Sequence, residues 1–479
     1  MRRNLARLHE DAFERRGDYD ALWFEGHWYS SRELFDRGCR VAAGLEVAPG
    51  DRVVVLMENT PDVPVAYHAI ARAGAVATPL IFLLTVQELR RILADCEPTL
   101  VVTSPTFRET VERAAEGVRV IDDLASMEAE PRPIVPRADD DLAALVYTGG
   151  TTGRAKGVML THANLWEAGR RGHEAGDVPG ITRSLTSLPL AHAFGLLVLN
   201  VGLHHSERPV SALMRWFEAE TWLTLAEEHR VQIAALVPSM LQLLLAEPLE
   251  DYDLRELRYV ASGAAPLPAE AIAEFTRRVP GVEIREGYGL TETSGLVSTN
   301  PPGRVRYGTV GRPVPGTDVR IGGDLEVLVR SDLVMKGYWR APEATAAALE
   351  DGWLKTGDLG SLGDDGYLSI LGRKKDLILR GGFNVFPRDV EEALLEHPAI
   401  TSACVVGRPD ALYGEEVVAF VTASGDATAE QLVAFGRRRL GGYKYPREIH
   451  VVDALPLTPV GKPDRKALRE QLTMEKGAA

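Results

Sequence analysis

The run Tyr147-Thr148-Gly149-Gly150-Thr151-Thr152-Gly153-Arg154-Ala155-Lys156-Gly157 sets four glycines, three threonine hydroxyls and a lysine in one loop. It follows the apolar stretch Leu142 to Val146, which reads as a buried strand, and a helical pattern opens at Thr161. In a loop between strand and helix the backbone amides can turn toward an anion, and hydroxyl and ammonium groups add donors. That chemistry suits a nucleotide triphosphate. The loop is not a Walker A motif, in which Lys follows Gly and precedes Ser or Thr; here Ala155 precedes Lys156 and Gly157 follows it. Taken alone, the run is equally compatible with a plain glycine-rich turn.

Four further constellations carry chemistry of their own. Glu286-Gly287-Tyr288-Gly289-Leu290-Thr291-Glu292 follows the predicted strand Val282 to Arg285. A tyrosine between glycines presents a flat ring along a backbone path, which suits adenine. Thr291 can bond a phosphate, and Glu292 is the hard oxygen ligand that Mg²⁺ takes; a solvated glutamate on a turn is the bland alternative. Thr356-Gly357-Asp358 ends in a carboxylate able to accept two ribose hydroxyls, or one that merely holds its own turn. Gly372-Arg373-Lys374-Lys375-Asp376, ahead of Gly381-Gly382, fits either a hinge or a solvated charge cluster. Lys462 precedes a helix predicted over Pro463 to Leu472, where the helix dipole disfavours a cation, so a lysine there hints at a use.

The elements that must position these groups alternate: strand-like Asp51–Leu56, helical Val63–Ala73, strand-like Ala75–Leu80, helical Thr85–Ala94, strand-like Thr99–Val102, and again Ser184–Leu188, Thr221–Glu228 and Val231–Val237. This is the rhythm of an α/β fold with a mostly parallel sheet. Short strands with Gly and Pro turns from Gly303 to Arg330 predict a small β subdomain, and the chain after Arg373 a compact α+β domain. Residues 125–136 read as an exposed connector. At 479 residues the chain exceeds one ordinary core, and the texture places a boundary between an N-terminal domain, 1–373, and a C-terminal one, 374–479.

A composition of 45% apolar and 25% charged residues is that of a globular enzyme. The net charge of −14 argues against wrapping nucleic acid. Cys39, Cys96 and Cys404 lack metal-ligand spacing and read as free thiols in a reducing compartment. The charged N-terminus has no signal-peptide core, and no apolar run is long enough to span a bilayer. A cytoplasmic location is the expectation.

In order along the chain, these segments, with Leu188-Pro189-Leu190-Ala191-His192-Ala193-Phe194-Gly195, Ser262-Gly263-Ala264-Ala265-Pro266-Leu267 and Pro459-Val460-Gly461-Lys462, resemble the adenylate-forming superfamily of acyl-CoA synthetases, aryl-CoA ligases, luciferase and peptide-synthetase adenylation domains. The resemblance covers nearly the whole chain. It implies a large N-terminal α/β domain, a small mobile C-terminal domain, and a ligase that first makes an acyl-adenylate from a carboxylic acid and Mg·ATP, then passes the acyl group to a thiol, here that of coenzyme A. It also implies roles. Thr148, Gly149, Gly150, Thr151, Thr152, Gly153 and Lys156 would bind the ATP phosphates, Thr291 the α-phosphate, and Glu292 the Mg²⁺. Gly263, Ala264, Ala265, Glu286, Gly287, Tyr288 and Gly289 would frame the adenine, and Asp358 and Arg373 the ribose. Lys375 would be the pivot, Lys462 the lysine bridging α-phosphate and carboxylate, and Gly381 and Gly382 would flank the pantetheine arm. Ala191, His192, Phe194, Gly195 and Gly295 would line the acyl pocket.

The departures point the same way. The family commonly has Ser or Thr where Gly149 stands, Pro at Ala155, an aromatic at Ala191 and Gln at Glu286. Ala191 removes bulk near the acyl site, which favours a wide apolar pocket. No acidic residue occurs between Leu188 and Gly195 to hold an ammonium, so an α-amino acid is not the expected substrate. A fatty or aryl acid is expected. The alternative acceptor is an acyl carrier protein, since it presents the same pantetheine; a basic run, Arg437, Arg438, Arg439, Lys444 and Arg447, is the candidate contact for the 3′-phosphate of CoA.

Overall fold

The computed structural model describes residues 3–148, 155–425, 427–458 and 463–477. They form two compact units: residues 1–319, 329–355 and 364–368 in the first, and 320–328, 356–363 and 369–479 in the second.

The first unit is built on two large sheets. One has the order Gly337–Tyr338, Lys156–Thr161, Leu142–Thr148, Val76–Pro79, Arg52–Leu56, Leu100–Thr103, Arg119–Ile121. Its members from Leu142–Thr148 to Arg119–Ile121 run parallel. Val53, Val54, Val55 and Leu56 are all buried, as a strand covered by helices on both faces requires. The other sheet has the order Arg312–Pro313, Ser298–Thr299, Glu283–Tyr288, Tyr259–Ser262, Ile233–Leu236, Arg183–Thr186, Val210–Leu213, Asp20–Phe24, His27–Ser30. It is parallel from Glu283–Tyr288 through Asp20–Phe24. The α/β reading therefore holds, and so do the short strands of the β subdomain, Thr317–Ile321 and Glu326–Ser331.

Three local expectations are corrected. The glycine-rich loop does not join a strand to a helix: Leu142–Thr148 pairs antiparallel with a second strand, Lys156–Thr161, with Thr148 opposite Lys156. The helix His162–Gly176 starts only after that strand, where Thr161 and Asn164 form a reciprocal capping box. Second, residues 125–136 are not wholly exposed, because Met127 and Ile134 are buried in the core of the first unit. Third, the terminal helix runs from Arg465 to Gly477. Pro463 bridges to Leu457, and the Asp464 carboxylate accepts from the amides of Lys466 and Ala467 at 3.0 and 3.1 Å. An aspartate N-cap is the better start signal, and it separates Lys462 from the helix, so the dipole argument for that lysine lapses.

The second unit holds a sheet of order Phe383–Val385, Ile378–Arg380, Gly414–Ala423, Ile400–Asp410, with Glu448–Val451 also on Gly414–Ala423. Helices Pro387–Leu395, Ala429–Arg439 and Arg465–Gly477 accompany it, and Val405, Val417, Ala419 and Phe420 are fully buried. Among the described residues no helix is long and apolar enough to cross a membrane.

Candidate active site

In the second sheet of the first unit, parallel strands end side by side, and the chain past their C-terminal ends carries the candidate residues at 191–195, 263–265 and 289–295. This is where open α/β sheets bind ligands. Strand Tyr259–Ser262 runs into Gly263, Ala264 and Ala265, while Ser262 pairs with Glu286 on the neighbouring strand. Ala264 has φ +70°, a left-handed backbone that costs a non-glycine residue about 1 kcal/mol and is typical of functional turns. Glu286, Gly287 and Tyr288 lie within the strand Glu283–Tyr288, not on a loop after it as expected.

Beyond Tyr288 the chain folds back tightly. Gly295 N–H donates to Leu290 O at 2.8 Å and Val297 N–H to Tyr288 O at 2.7 Å. A methyl at Gly289 would stand 2.2 Å from Gly295 O, so only glycine fits. Gly295 itself has φ +84° and lies against Ala193 O. Thr291 and Glu292 sit on the turn this fold-back creates, in a short 3₁₀ segment.

The segment Leu188–Gly195 is pinned by a residue that carries no motif. Asn59 donates to the carbonyls of Leu188 and Met214 at 2.9 and 3.1 Å and accepts from Leu190 N–H at 2.9 Å. Tyr67 donates to Leu190 O at 3.3 Å. Gly195 is obligatory, since a Cβ there would meet Pro189 O at 2.3 Å. The Phe194 ring lies beside Gly263, 3.6 Å from where a Cβ would stand. Thus Phe194, Gly195, Gly263 and Gly295 do come together. His192 caps helix Ala193–His204, its Nδ1 accepting from Phe194 N–H at 3.3 Å, a structural task that fits pocket lining better than proton transfer.

On the hairpin side, Gly149, Gly150, Thr151, Thr152 and Gly153 lie outside the described residues, and so does Lys462. Lys156 is described. Its Nζ stands 4.9 Å from the centroid of the Tyr338 ring, and the Tyr338 hydroxyl donates to Glu292 Oε1 at 2.8 Å. Burial, then the Glu292 charge, pushes the Tyr338 phenol up from its ordinary pKa, so it remains a donor at neutral pH. A carboxylate steadied by a phenol donor is a suitable hard ligand for Mg²⁺, and a nearby ammonium suits phosphate. Tyr338, absent from the sequence-derived set, joins the two.

In the second unit, Asp358 and Arg373, the two residues expected at the ribose, are ion-paired with each other, Nε to Oδ1 at 2.7 Å, with Asp358 almost completely buried. Gly357 turns at φ +70°. Glu326, also unanticipated, accepts from Gly357 N–H at 2.9 Å and pairs with Lys374 at 2.9 Å. Gly381 and Gly382, with φ +58° and +80°, form the two-residue turn of the hairpin that pairs Arg380 with Phe383, as adjacent left-handed glycines do. The basic run is partly neutralised within the unit: Lys444 pairs with Asp389 at 2.7 Å and Arg439 with Glu396 at 2.9 Å.

Comparison with known proteins agrees with this geometry. The chain matches the family model for AMP-binding enzymes over residues 9–339 and that for the AMP-binding enzyme C-terminal domain over 389–462. It is 37% identical to a feruloyl-CoA synthase of an Amycolatopsis species, across 90% of this chain and 91% of the relative. It is 34% identical to a long-chain-fatty-acid–CoA ligase of Bacillus subtilis, across 98% and 95%. ATP-bound MatB from Rhodopseudomonas palustris superposes with a TM-score of 0.90 at 32% identity, covering 97% of this chain and 98% of that one. The chain thus belongs to the AMP-binding enzyme family, in the acyl- and aryl-CoA synthetase group of the adenylate-forming superfamily, whose members are AMP-forming carboxylate–CoA ligases using ATP, Mg²⁺ and CoA.

Proposed function

We propose that this protein activates an apolar carboxylic acid, fatty or aryl, as its acyl-AMP and transfers the acyl group to coenzyme A. The observation that carries the reading is the convergence of Phe194, Gly195, Gly263 and Gly295 beside the turn bearing Thr291 and Glu292. These uncharged residues lie next to groups suited to phosphate and metal. The similarity to feruloyl-CoA and long-chain-fatty-acid–CoA ligases supports a substrate of that character.

In this reading Thr151, Thr152 and Lys156 hold the leaving phosphates, Thr291 the α-phosphate, and Lys462 bridges that phosphate and the substrate carboxylate. Bound at Glu292, Mg²⁺ would neutralise phosphate charge. Tyr288, with Gly263 to Ala265 and Glu286 to Gly289, frames the adenine. Asp358 and Arg373 take the ribose hydroxyls. Displacement at phosphorus needs positioning and charge neutralisation more than covalent help, and ammonium groups with a metal supply both. With a domain boundary at 373/374, Lys375 would be the pivot at the start of the mobile domain, and Gly381 and Gly382 would flank the path of the pantetheine arm.

The test is acid-dependent pyrophosphate release across a panel of medium- and long-chain fatty acids, hydroxycinnamates, benzoates and α-amino acids, with and without CoA. Release with an apolar acid and conversion to the acyl-CoA is expected. Activity confined to amino acids would overturn the reading; acyl-AMP that ignores CoA but loads an acyl carrier protein would replace the acceptor.

A further inference from the structure

One short segment ties the metal side of the site to the phosphate side. Met335 N–H donates to Glu292 O at 2.8 Å, Lys336 N–H to Met159 O at 2.9 Å, and Trp339 N–H to Gly157 O at 2.7 Å. Between these anchors, Gly337 and Tyr338 pair antiparallel with Met159 and Val158. Tyr338 N–H donates to Thr345 Oγ1 at 2.9 Å, so its backbone is fixed from a third side. Gly337, at φ +146°, is crowded by Thr345, 2.8 Å from where a Cβ would stand. The Tyr338 side chain is therefore held at a set height between the Thr291–Thr293 turn and the first residue of the Lys156–Thr161 strand.

From that position it acts in two directions. Its hydroxyl donates to Glu292 Oε1 at 2.8 Å, and its ring face receives the Lys156 ammonium at 4.9 Å. Left in contact, a lysine and a glutamate would form an ion pair and neutralise each other. Among the described residues no ion pair joins Lys156 to Glu292. The ring stands as a spacer that attracts the cation through its quadrupole while its polar edge bonds the anion. Each charge is thus oriented yet left for a ligand.

We propose that Tyr338 is a positioning residue for adenylation: its hydroxyl orients Glu292 for Mg²⁺, and its ring seats Lys156 for the phosphates. The proposal rests on the reading of Glu292 as the metal ligand, so the experiment tests the two separately. Tyr338→Phe keeps the ring and removes the hydroxyl; Tyr338→Leu removes both; Glu292→Gln tests the ligand itself.

ATP binding is measured by calorimetry in Mg²⁺ and in EDTA, and acid-dependent pyrophosphate release as a function of Mg²⁺ concentration. Losing one hydrogen bond to a charged group is worth about tenfold. For Tyr338→Phe we expect the Mg²⁺-conferred gain in ATP affinity to shrink by about tenfold, the Mg²⁺ half-saturation to rise likewise, and ATP affinity in EDTA to stay unchanged. Tyr338→Leu should also weaken ATP binding in EDTA, by several-fold. Thioester formation from supplied acyl-AMP and the melting temperature should be little altered in Tyr338→Phe. If Glu292→Gln shifts the Mg²⁺ dependence and Tyr338→Phe does not, the tyrosine has no such role. If neither shifts it, the assignment of Glu292 fails, and this inference with it. Equal loss in both half-reactions with unchanged Mg²⁺ half-saturation would reduce Tyr338 to a packing residue.

Discussion

Replacing Gly289 by alanine tests whether the fold-back after Tyr288 is what places Thr291 and Glu292. The added Cβ would stand 2.2 Å from Gly295 O, 2.4 Å from Gly295 C and 2.5 Å from Leu296 N. All three are backbone atoms, so no side chain can swing aside. Relief requires the two limbs of the loop to part by roughly 1 Å, at an overpacking cost of about 1–3 kcal/mol. Parting also strains the bonds Gly295 N–H to Leu290 O and Val297 N–H to Tyr288 O, worth about 1 kcal/mol each. A total of about 3–5 kcal/mol is within the stability reserve of a folded domain, so the variant should fold and melt several degrees lower. Its chemistry should suffer more, because a misplacement of about 1 Å costs on the order of 100-fold in rate. The assay is acid-dependent pyrophosphate release beside a thermal melt. Gly202→Ala serves as the control: it lies in helix Ala193–His204, nothing stands within 4 Å of its Cβ position, and alanine there should be neutral or slightly stabilising. Should Gly289→Ala keep wild-type release and melting, the loop is soft and the close approach has no part in placing the site.

Lys375→Pro should leave adenylation intact and lower thioester formation by orders of magnitude, since proline fixes φ at the proposed pivot; survival of both half-reactions would move the pivot elsewhere. Asp358→Asn removes the buried partner of Arg373 and should raise the KM for ATP about tenfold with little change in Mg²⁺ dependence; an unchanged KM would remove Asp358 from ribose binding. Acid should destabilise the fold through histidines. Burial lowers His9, His162 and His204 to about 4; the folded chain keeps them neutral while the unfolded chain takes up protons below about 6.5. Stability is then full above pH 6.5 and falls toward pH 4 by about 1.4 kcal/mol per pH unit for each histidine. Urea midpoints at pH 7.5 and 5.0 check this, and a midpoint that holds or rises at pH 5.0 refutes it.

What was legible in the sequence was what is local. The alternation of apolar strands and amphipathic helices depends on residues near one another, and so does the turn chemistry at Gly357 and at the start of the helix that Thr161 caps. The missed residues act across the chain. Asn59 holds Leu190 from 131 residues away, Tyr338 holds Glu292 from 46, and Glu326 holds Gly357 from 31. An asparagine, a tyrosine and a glutamate in ordinary surroundings announce none of this. The hairpin at Lys156–Thr161 was available in principle. Val158, Met159 and Leu160 form a short apolar run bounded by glycine and threonine, a strand signal overshadowed by the helix beyond it.

If Lys375 is the pivot, as proposed, the ion pairs around it give a physical reason why that residue and not a neighbour would turn. Arg373 is bound to Asp358 at 2.7 Å. Lys374 is bound to Asp324 and Glu326 at 2.6 and 2.9 Å, and Glu326 also holds the Gly357 amide. On the other side, Asp376 is buried and accepts from Arg469 on the terminal helix at 3.0 Å. Arg373 and Lys374 are thus fastened to the turn that presents Asp358, while Asp376 is fastened to the helix that follows Lys462. Lys375 is exposed and makes no ion pair among the described residues. Backbone rotation costs least where no charged contact must break, and one residue lies between the two anchored segments. Rotation there would carry the Lys462 side of the chain while leaving the Asp358–Arg373 pair in place. That is what a two-step enzyme needs if one lysine is to leave after the first step while the adenylate stays held.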